Sequence, residues 1–190
     1  MGASQPGSAV TGSSPSFPPT TLPAFLELCA GQWMGLRSQF STSPTPETAP
    51  PDSSTSGPGD DDAWHSSERG DVVVSFEPSR SPATLGSLLV TAPTGTSQRL
   101  VFQVDGRLSE EDGSAGTQPQ TPLLGHLIGH WQLWTDGSLE LSGERGGRQW
   151  KERIWFTKPN LRLRSRVEHN ADDSAASAYF CSEIRRVSAA

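Results

Sequence analysis

The stretch Gln149-Trp150-Lys151-Glu152-Arg153-Ile154-Trp155-Phe156-Thr157-Lys158-Pro159-Asn160-Leu161-Arg162-Leu163-Arg164-Ser165-Arg166-Val167 decides how the chain is read. Two runs of alternating character flank Thr157-Lys158-Pro159-Asn160, whose composition favours a turn. The pattern predicts a β-hairpin closed by those four residues. Phe156 then faces Leu161, Trp155 faces Arg162, Ile154 faces Leu163 and Arg153 faces Arg164. Directly opposed residues in an antiparallel pair share a sheet face. One face is expected to carry Phe156, Ile154, Leu161 and Leu163, an ordinary hydrophobic surface. The other is expected to carry Lys151, Arg153, Trp155, Arg162, Arg164 and Arg166: five cations around one indole.

Like charges opposed across strands destabilise a sheet, and Arg is favoured where planar anions are gripped in a bidentate way. Such a face is either a solvated exterior or an anion site beside an aromatic platform. Inside a barrel, the matching ligand is a flat, conjugated acid. On an exterior it is a phosphate or an acidic protein. Residues 144–166 hold eight of the chain's 15 basic side chains against Glu144 and Glu152, so this segment is +6. The whole chain is -6, which leaves -12 elsewhere and no general case for nucleic acid or an anionic membrane.

Working outward, strand-type patterns recur at 32–40, 71–76, 85–91, 99–106, 125–134, 138–142, 149–156, 161–167 and 178–187. Thr135-Asp136-Gly137 is a second hairpin-type connection. One helix is expected at 22–30, with Pro23 in its first turn and Gly31 at its C-terminal cap. About nine short strands joined by turns point to an all-β sandwich or up-and-down barrel.

Composition agrees. Gly, Pro and 27 Ser fill about a third of the 190 positions, and only 33% of the chain is hydrophobic, which opposes a helical bundle. Ten of the 16 prolines precede residue 60. Residues 1–20 read as a disordered tail, and 41–62 and 109–121 as long loops within a single domain at 21–188. No apolar run is long enough for a transmembrane span, and no secretory signal is visible, so a cytoplasmic location is expected. Cys29 and Cys181 cannot build a disulfide scaffold and read as core thiols. His126 and His130 share a helix-like spacing, but Gly125, Gly129 and the strand pattern oppose a helix, so no metal site is expected. The Gly-rich 143–148 segment lacks a nucleotide-binding fingerprint and reads as a loop tip.

Two further segments carry chemistry. Gly31-Gln32-Trp33 after a short helix matches a lipocalin-type opening, in which the indole plugs one barrel end and an Arg stacks on it. Arg37 lies four residues on, hence on the same strand face as Trp33. In the last strand Tyr179, Cys181, Glu183 and Arg185 alternate with Phe180, Ser182 and Ile184. Glu183 is placed either to pair with the arginines or to accept hydrogen bonds from ligand N–H groups.

Glu152 to Ser165 and Phe180-Cys181-Ser182-Glu183-Ile184-Arg185 closely resemble the signatures of the S-type (CpcS/CpeS) phycobiliprotein chromophore lyases. The Phe25 to Arg37 segment looks like that family's opening. The resemblance covers about 22–37 and 136–186; the middle, 39–125, carries only strand texture. It implies a lipocalin-like barrel of about ten strands, related to fatty-acid-binding proteins. It implies a bilin, phycocyanobilin or phycoerythrobilin, as substrate rather than as a permanent cofactor, and its thioether attachment to a cysteine of a phycobiliprotein subunit. Arg37, Arg162, Arg164 and Glu183 are then the expected catalytic residues. Trp33, Arg37, Arg153, Trp155, Arg162 and Arg164 are the expected bilin-binding residues. A second lyase subunit, as homo- or heterodimer, is compatible with it, and the setting is the cytoplasm of a cyanobacterium-like phototroph or an algal plastid. One departure is Phe40, where the family often has His. It leaves open a non-catalytic bilin-binding partner subunit or chaperone, or a carrier of another acidic apolar ligand.

Overall fold

The computed structural model describes residues 17–41, 65–112 and 126–187. Helix α1 (Leu22–Cys29) precedes ten strands: β1 (Gly31–Ser41), β2 (His65–Pro78), β3 (Thr84–Thr91), β4 (Ser97–Gln103), β5 (Arg107–Asp112), β6 (His126–Leu133), β7 (Leu139–Arg145), β8 (Arg148–Lys158), β9 (Leu161–His169) and β10 (Ala175–Arg185). Each strand pairs antiparallel with its sequence neighbours, and β10 returns to β1 to close a barrel. Closure removes the exposed edges that an open sheet must protect. The architecture is therefore the up-and-down barrel, not the sandwich.

The strand missing from the sequence reading is β5. It takes residues 109–112 away from the expected 109–121 loop. Its cue was Asp105-Gly106, a hairpin-type pair: Gly106 adopts φ 86 and its N–H donates to Gln103 O at 3.2 Å. The remainder of that loop, all but the rim of the 41–62 loop, and residues 1–16 of the expected tail lie outside the described residues. Within the tail's described end, Pro19 is buried.

Helix α1 forms where Leu22, Phe25, Leu26 and Cys29 recur at helical spacing, with proline in the first turn. Its cap is Ala30 rather than Gly31. Gly31 instead opens β1 at φ 137, where a Cβ would meet Arg185 Nη1 at 2.8 Å. The helix's apolar stripe plugs one end of the barrel. Phe25 packs edge-on to Phe156 at 5.3 Å, and Trp33 Nε1 donates to Cys29 O at 2.8 Å. Burying each large side chain of this plug is worth about 1.5–3 kcal/mol. Because strand direction alternates, the ends of β1 and β5 and the starts of β2 and β6 all lie at the rim opposite the helix. Midway round the barrel, Gly129 and Gly143 face each other, and a Cβ on either would lie 1.9 Å from a carbonyl oxygen of the opposing strand.

The deciding hairpin forms, but one residue out of the expected register. Its turn is Pro159-Asn160, and a bulge between Phe156 and Lys158 absorbs one residue. Phe156 pairs with Arg162, Trp155 with Leu163, Ile154 with Arg164 and Arg153 with Ser165. A slip of one residue transfers a strand's whole side-chain set to the other face. Arg162, Arg164 and Arg166 therefore join Glu152, Ile154 and Phe156 inside the barrel. Lys151, Arg153 and Trp155 are left outside with Leu163. The expected single face of five cations around Trp155 does not exist.

Candidate functional site

The barrel interior contains a cavity of about 170 Å³. Aliphatic walls come from Val74, Leu88, Leu100 and Leu141, and Glu152, Arg162, Arg164, Arg166 and Tyr179 are grouped on the β8–β9–β10 side. That side is built by period-two alternation on three adjacent strands. β8 contributes Glu152, β9 contributes Arg162, Arg164 and Arg166, and β10 contributes Tyr179, Cys181 and Glu183.

Arg162 and Glu183 are almost wholly buried, and Arg162 Nε donates to Glu183 Oε2 at 2.5 Å. Arg164 bridges both acids: its Nε donates to Glu152 Oε1 at 2.7 Å and its Nη1 to Glu183 Oε1 at 3.4 Å. Tyr179 Oη donates to the same Glu152 oxygen at 2.9 Å. Charges buried this deeply are tolerable only when paired and hydrogen-bonded, which this network achieves. Burial alone would raise the pKa of Glu183, but Arg164 and Arg162 more than offset it and hold the carboxyl below its ordinary range. Burial pushes the Tyr179 phenol up to about 12 against the pull of Arg164, so it is a proton donor at neutral pH. Burial also raises both Cys29 and Cys181, which keeps them as thiols.

At the helix end, the guanidinium carbons of Arg162 and Arg185 lie 4.5 and 4.4 Å from the Trp33 ring centroid. Arg185 also donates to the carbonyls of Leu28 and Ala30 at the C-terminus of α1, where a cation is favoured. The expected end plug with an arginine on its indole is thus present. Arg37 shares the inner face of β1 with Trp33 and lies 4.9 Å over the Tyr179 ring.

Of the sequence candidates, the interior gathers Trp33, Arg37, Arg162, Arg164 and Glu183. It does not gather Arg153 or Trp155. Arg153 sits outside, donating to Asp136 Oδ2 at 2.7 Å and Ser138 Oγ at 3.0 Å. Trp155 is half-buried on the exterior, its ring 6.3 Å from that of exposed Phe180. Sequence reasoning missed Glu152 and Tyr179 as site residues. Alternation from Ile154 and Glu183 would have found both. His126 and His130 lie on β6, a strand, and are exposed.

The model of a family described as CpeS-like protein matches residues 97–186. The chromophore lyase CpcS/CpeS 1 of Paulinella chromatophora is 42% identical over 172 residues, 90% of this chain and 91% of that protein. The likeness therefore runs through the middle of the chain as well as its two ends. The chromophore lyase CpcS/CpeS of Thermosynechococcus vestitus is 35% identical over 83 residues, 44% of this chain and 41% of its own. Among solved structures, the S-type phycobiliprotein lyase CpeS from Guillardia theta matches with TM-score 0.54 at 17% identity, covering 87% of this chain and 92% of its own. That last match is one of fold.

Proposed function

This chain belongs to the CpcS/CpeS family of chromophore lyases, and from that membership we propose that it binds a bilin and joins it to a cysteine of a phycobiliprotein subunit. The observation that carries the reading is the buried Arg162–Glu183–Arg164–Glu152 network inside an otherwise apolar barrel. A bilin offers a flat conjugated body, ring N–H groups and two propionates. Aliphatic walls suit the body, and the carboxylate oxygens of Glu183 retain lone pairs for N–H donors.

In the reaction, the acceptor's thiol adds across an exocyclic double bond of the bilin. A carbon–sulfur bond forms, the thiol proton ends on a bilin carbon, and nothing leaves. Cys29 and Cys181, buried and held as thiols, are not the reacting sulfur. The lyase's task is to orient the bilin, exclude water and poise protons. Tyr179 is the proton donor lining the cavity, and Glu183 is the ionised acceptor beside it, kept charged by Arg164 and Arg162, while Arg37 lies over the Tyr179 ring. Trp155 and Arg153, outside the cavity, act at the acceptor rather than on the bilin. Phycocyanobilin and phycoerythrobilin are the candidate substrates, a phycobiliprotein subunit and a second lyase subunit the candidate partners. The setting is the cytoplasm or plastid of a pigment-making phototroph. Among the described residues no helix is long and apolar enough to cross a membrane.

Phe40 does not argue for a merely binding partner. By strand alternation it falls on the face of β1 opposite the one that carries Trp33 and Arg37. A His there would not reach the cavity network. The test is co-expression with a bilin-synthesis pathway and an apo-phycobiliprotein subunit. A covalent, zinc-fluorescent adduct is expected. A colourless lyase and no adduct would defeat the reading; a coloured lyase and no adduct would leave a carrier.

A further inference from the structure

We propose that Arg166 is the residue that receives a carboxylate arm of the ligand. The inference rests on the bilin reading above and assigns its acid-binding subsite. Three arginines of β9 point inward, and two are already committed. Arg162 is spent on Glu183, and Arg164 spans Glu152 and Glu183. The two deep glutamates thus neutralise the two deep arginines.

Arg166 is different. Its contact with Glu152 is 4.0 Å, beyond hydrogen-bond range. Its Nη2 meets Glu168 Oε1 at 2.7 Å, but Glu168 is also held by Ser177 Oγ. Its Nε is buried and has no hydrogen-bond partner. A buried donor without an acceptor is costly in the free protein, and an arriving carboxylate removes that cost. The Trp150 ring lies 4.6 Å from the guanidinium carbon and fixes its plane. Arginine held in a plane is the side chain best suited to a carboxylate.

Position agrees with this role. Arg166 lies on the half of β9 remote from α1 and lines the cavity there with Arg145 and Gln98. A cavity of about 170 Å³ is below the roughly 300–1,000 Å³ of pockets that enclose a whole drug-sized ligand. It fits a propionate arm and part of one ring. The ligand therefore enters acid first from the rim opposite the helix, with its conjugated body toward that rim.

The test compares a bilin diacid with its dimethyl ester, each titrated into the purified full chain and followed by visible absorption. Wild type should prefer the diacid. Arg166→Gln should lose about tenfold or more in diacid affinity, the scale of one hydrogen bond to a charged group, and leave the ester unchanged. Arg166→Lys keeps the charge without Nε and should fall between. Folding of each variant is checked by near-ultraviolet circular dichroism. Should either folded variant keep the wild-type preference for the diacid, the Arg166 assignment is overturned and the bilin reading stands. Should wild type bind neither form, the bilin reading itself fails.

Discussion

Arg162 and Glu183 meet at 2.5 Å inside the barrel, on adjacent strands, with almost no access to solvent. Neither would be stable there alone. Removing one partner of a buried pair leaves an unpaired buried charge and costs about 3–5 kcal/mol, whereas replacing both by apolar groups is often tolerated. Glu183→Gln should therefore lower unfolding free energy by about that amount in urea denaturation. The double variant Arg162→Met/Glu183→Leu should be less destabilised than the sum of its single changes. Strict additivity would show that the two do not act as a pair.

The same pair sets the acid limit of the protein. The pKa of Glu183 is held below its ordinary value of 4.5 in the folded chain. The folded state thus binds fewer protons than the unfolded state across that interval. Its contribution to stability is complete above the ordinary carboxylate range and is lost as pH falls through the depressed folded value. Wild type should lose more stability than Glu183→Gln when acidified below about pH 4.5. Parallel curves for the two proteins would remove Glu183 from the acid response.

The hairpin register separates binding from transfer. Trp155 faces outward beside Phe180, while Arg164 faces the cavity. Trp155→Ala should change bilin affinity by no more than about 0.5 kcal/mol, as surface substitutions do, yet slow adduct formation with the acceptor. Arg164→Ala should weaken bilin binding itself, because it leaves Glu152 and Glu183 short of a partner. Absorption titration and a timed transfer assay distinguish the two. A Trp155→Ala protein that no longer takes up bilin would contradict the exterior placement.

Most of the barrel was legible because its signals are local. Alternation, turn residues and the proline-led helix placed nine of the ten strands and α1. The hairpin failed on a register that local pattern does not fix. Both registers give each strand a clean alternation, and only the bulge at Thr157 and the two-residue turn choose between them. The side on which Arg162 lies stayed open between exterior and cavity because three alternating cations suit either; the counter-charges that admit them to the interior, Glu152 and Glu183, come 10 residues before and 21 after Arg162. Trp33 and Arg37 were found because their shared face follows from alternation within one strand.

Close strand approach makes a sharper test of the fold. Gly129 and Gly143 sit opposite each other, and a Cβ at either would strike backbone oxygen at 1.9 Å. Backbone cannot rotate away as a side chain can. Gly129→Ala and Gly143→Ala should each cost about 3 kcal/mol or more. Gly95→Ala, at φ 85 with nothing within 4 Å of its Cβ, should cost only about 1–2 kcal/mol. Thermal unfolding of the three variants gives the order, and a Gly95 variant as damaged as the others would refute the steric account.

Tyr179 is the chain's single tyrosine, so its ionisation can be read without interference. Burial raises its pKa from 10.0 to about 12, with Arg164 pulling it down and Glu152, by charge and by the accepted hydrogen bond, pushing it up. Between those two values the unfolded chain has released the phenolic proton and the folded chain has kept it. Folded protein binds more protons there, so stability falls as pH rises through the interval. Near-ultraviolet titration of phenolate absorbance should show a midpoint near 12 in the native protein and near 10.0 in urea. Glu152→Gln removes the adjacent negative charge and should move the native midpoint downward, whereas Arg164→Gln should move it upward. A native midpoint at the ordinary phenol value would mean that Tyr179 stands in water, outside the Arg164–Glu152 network.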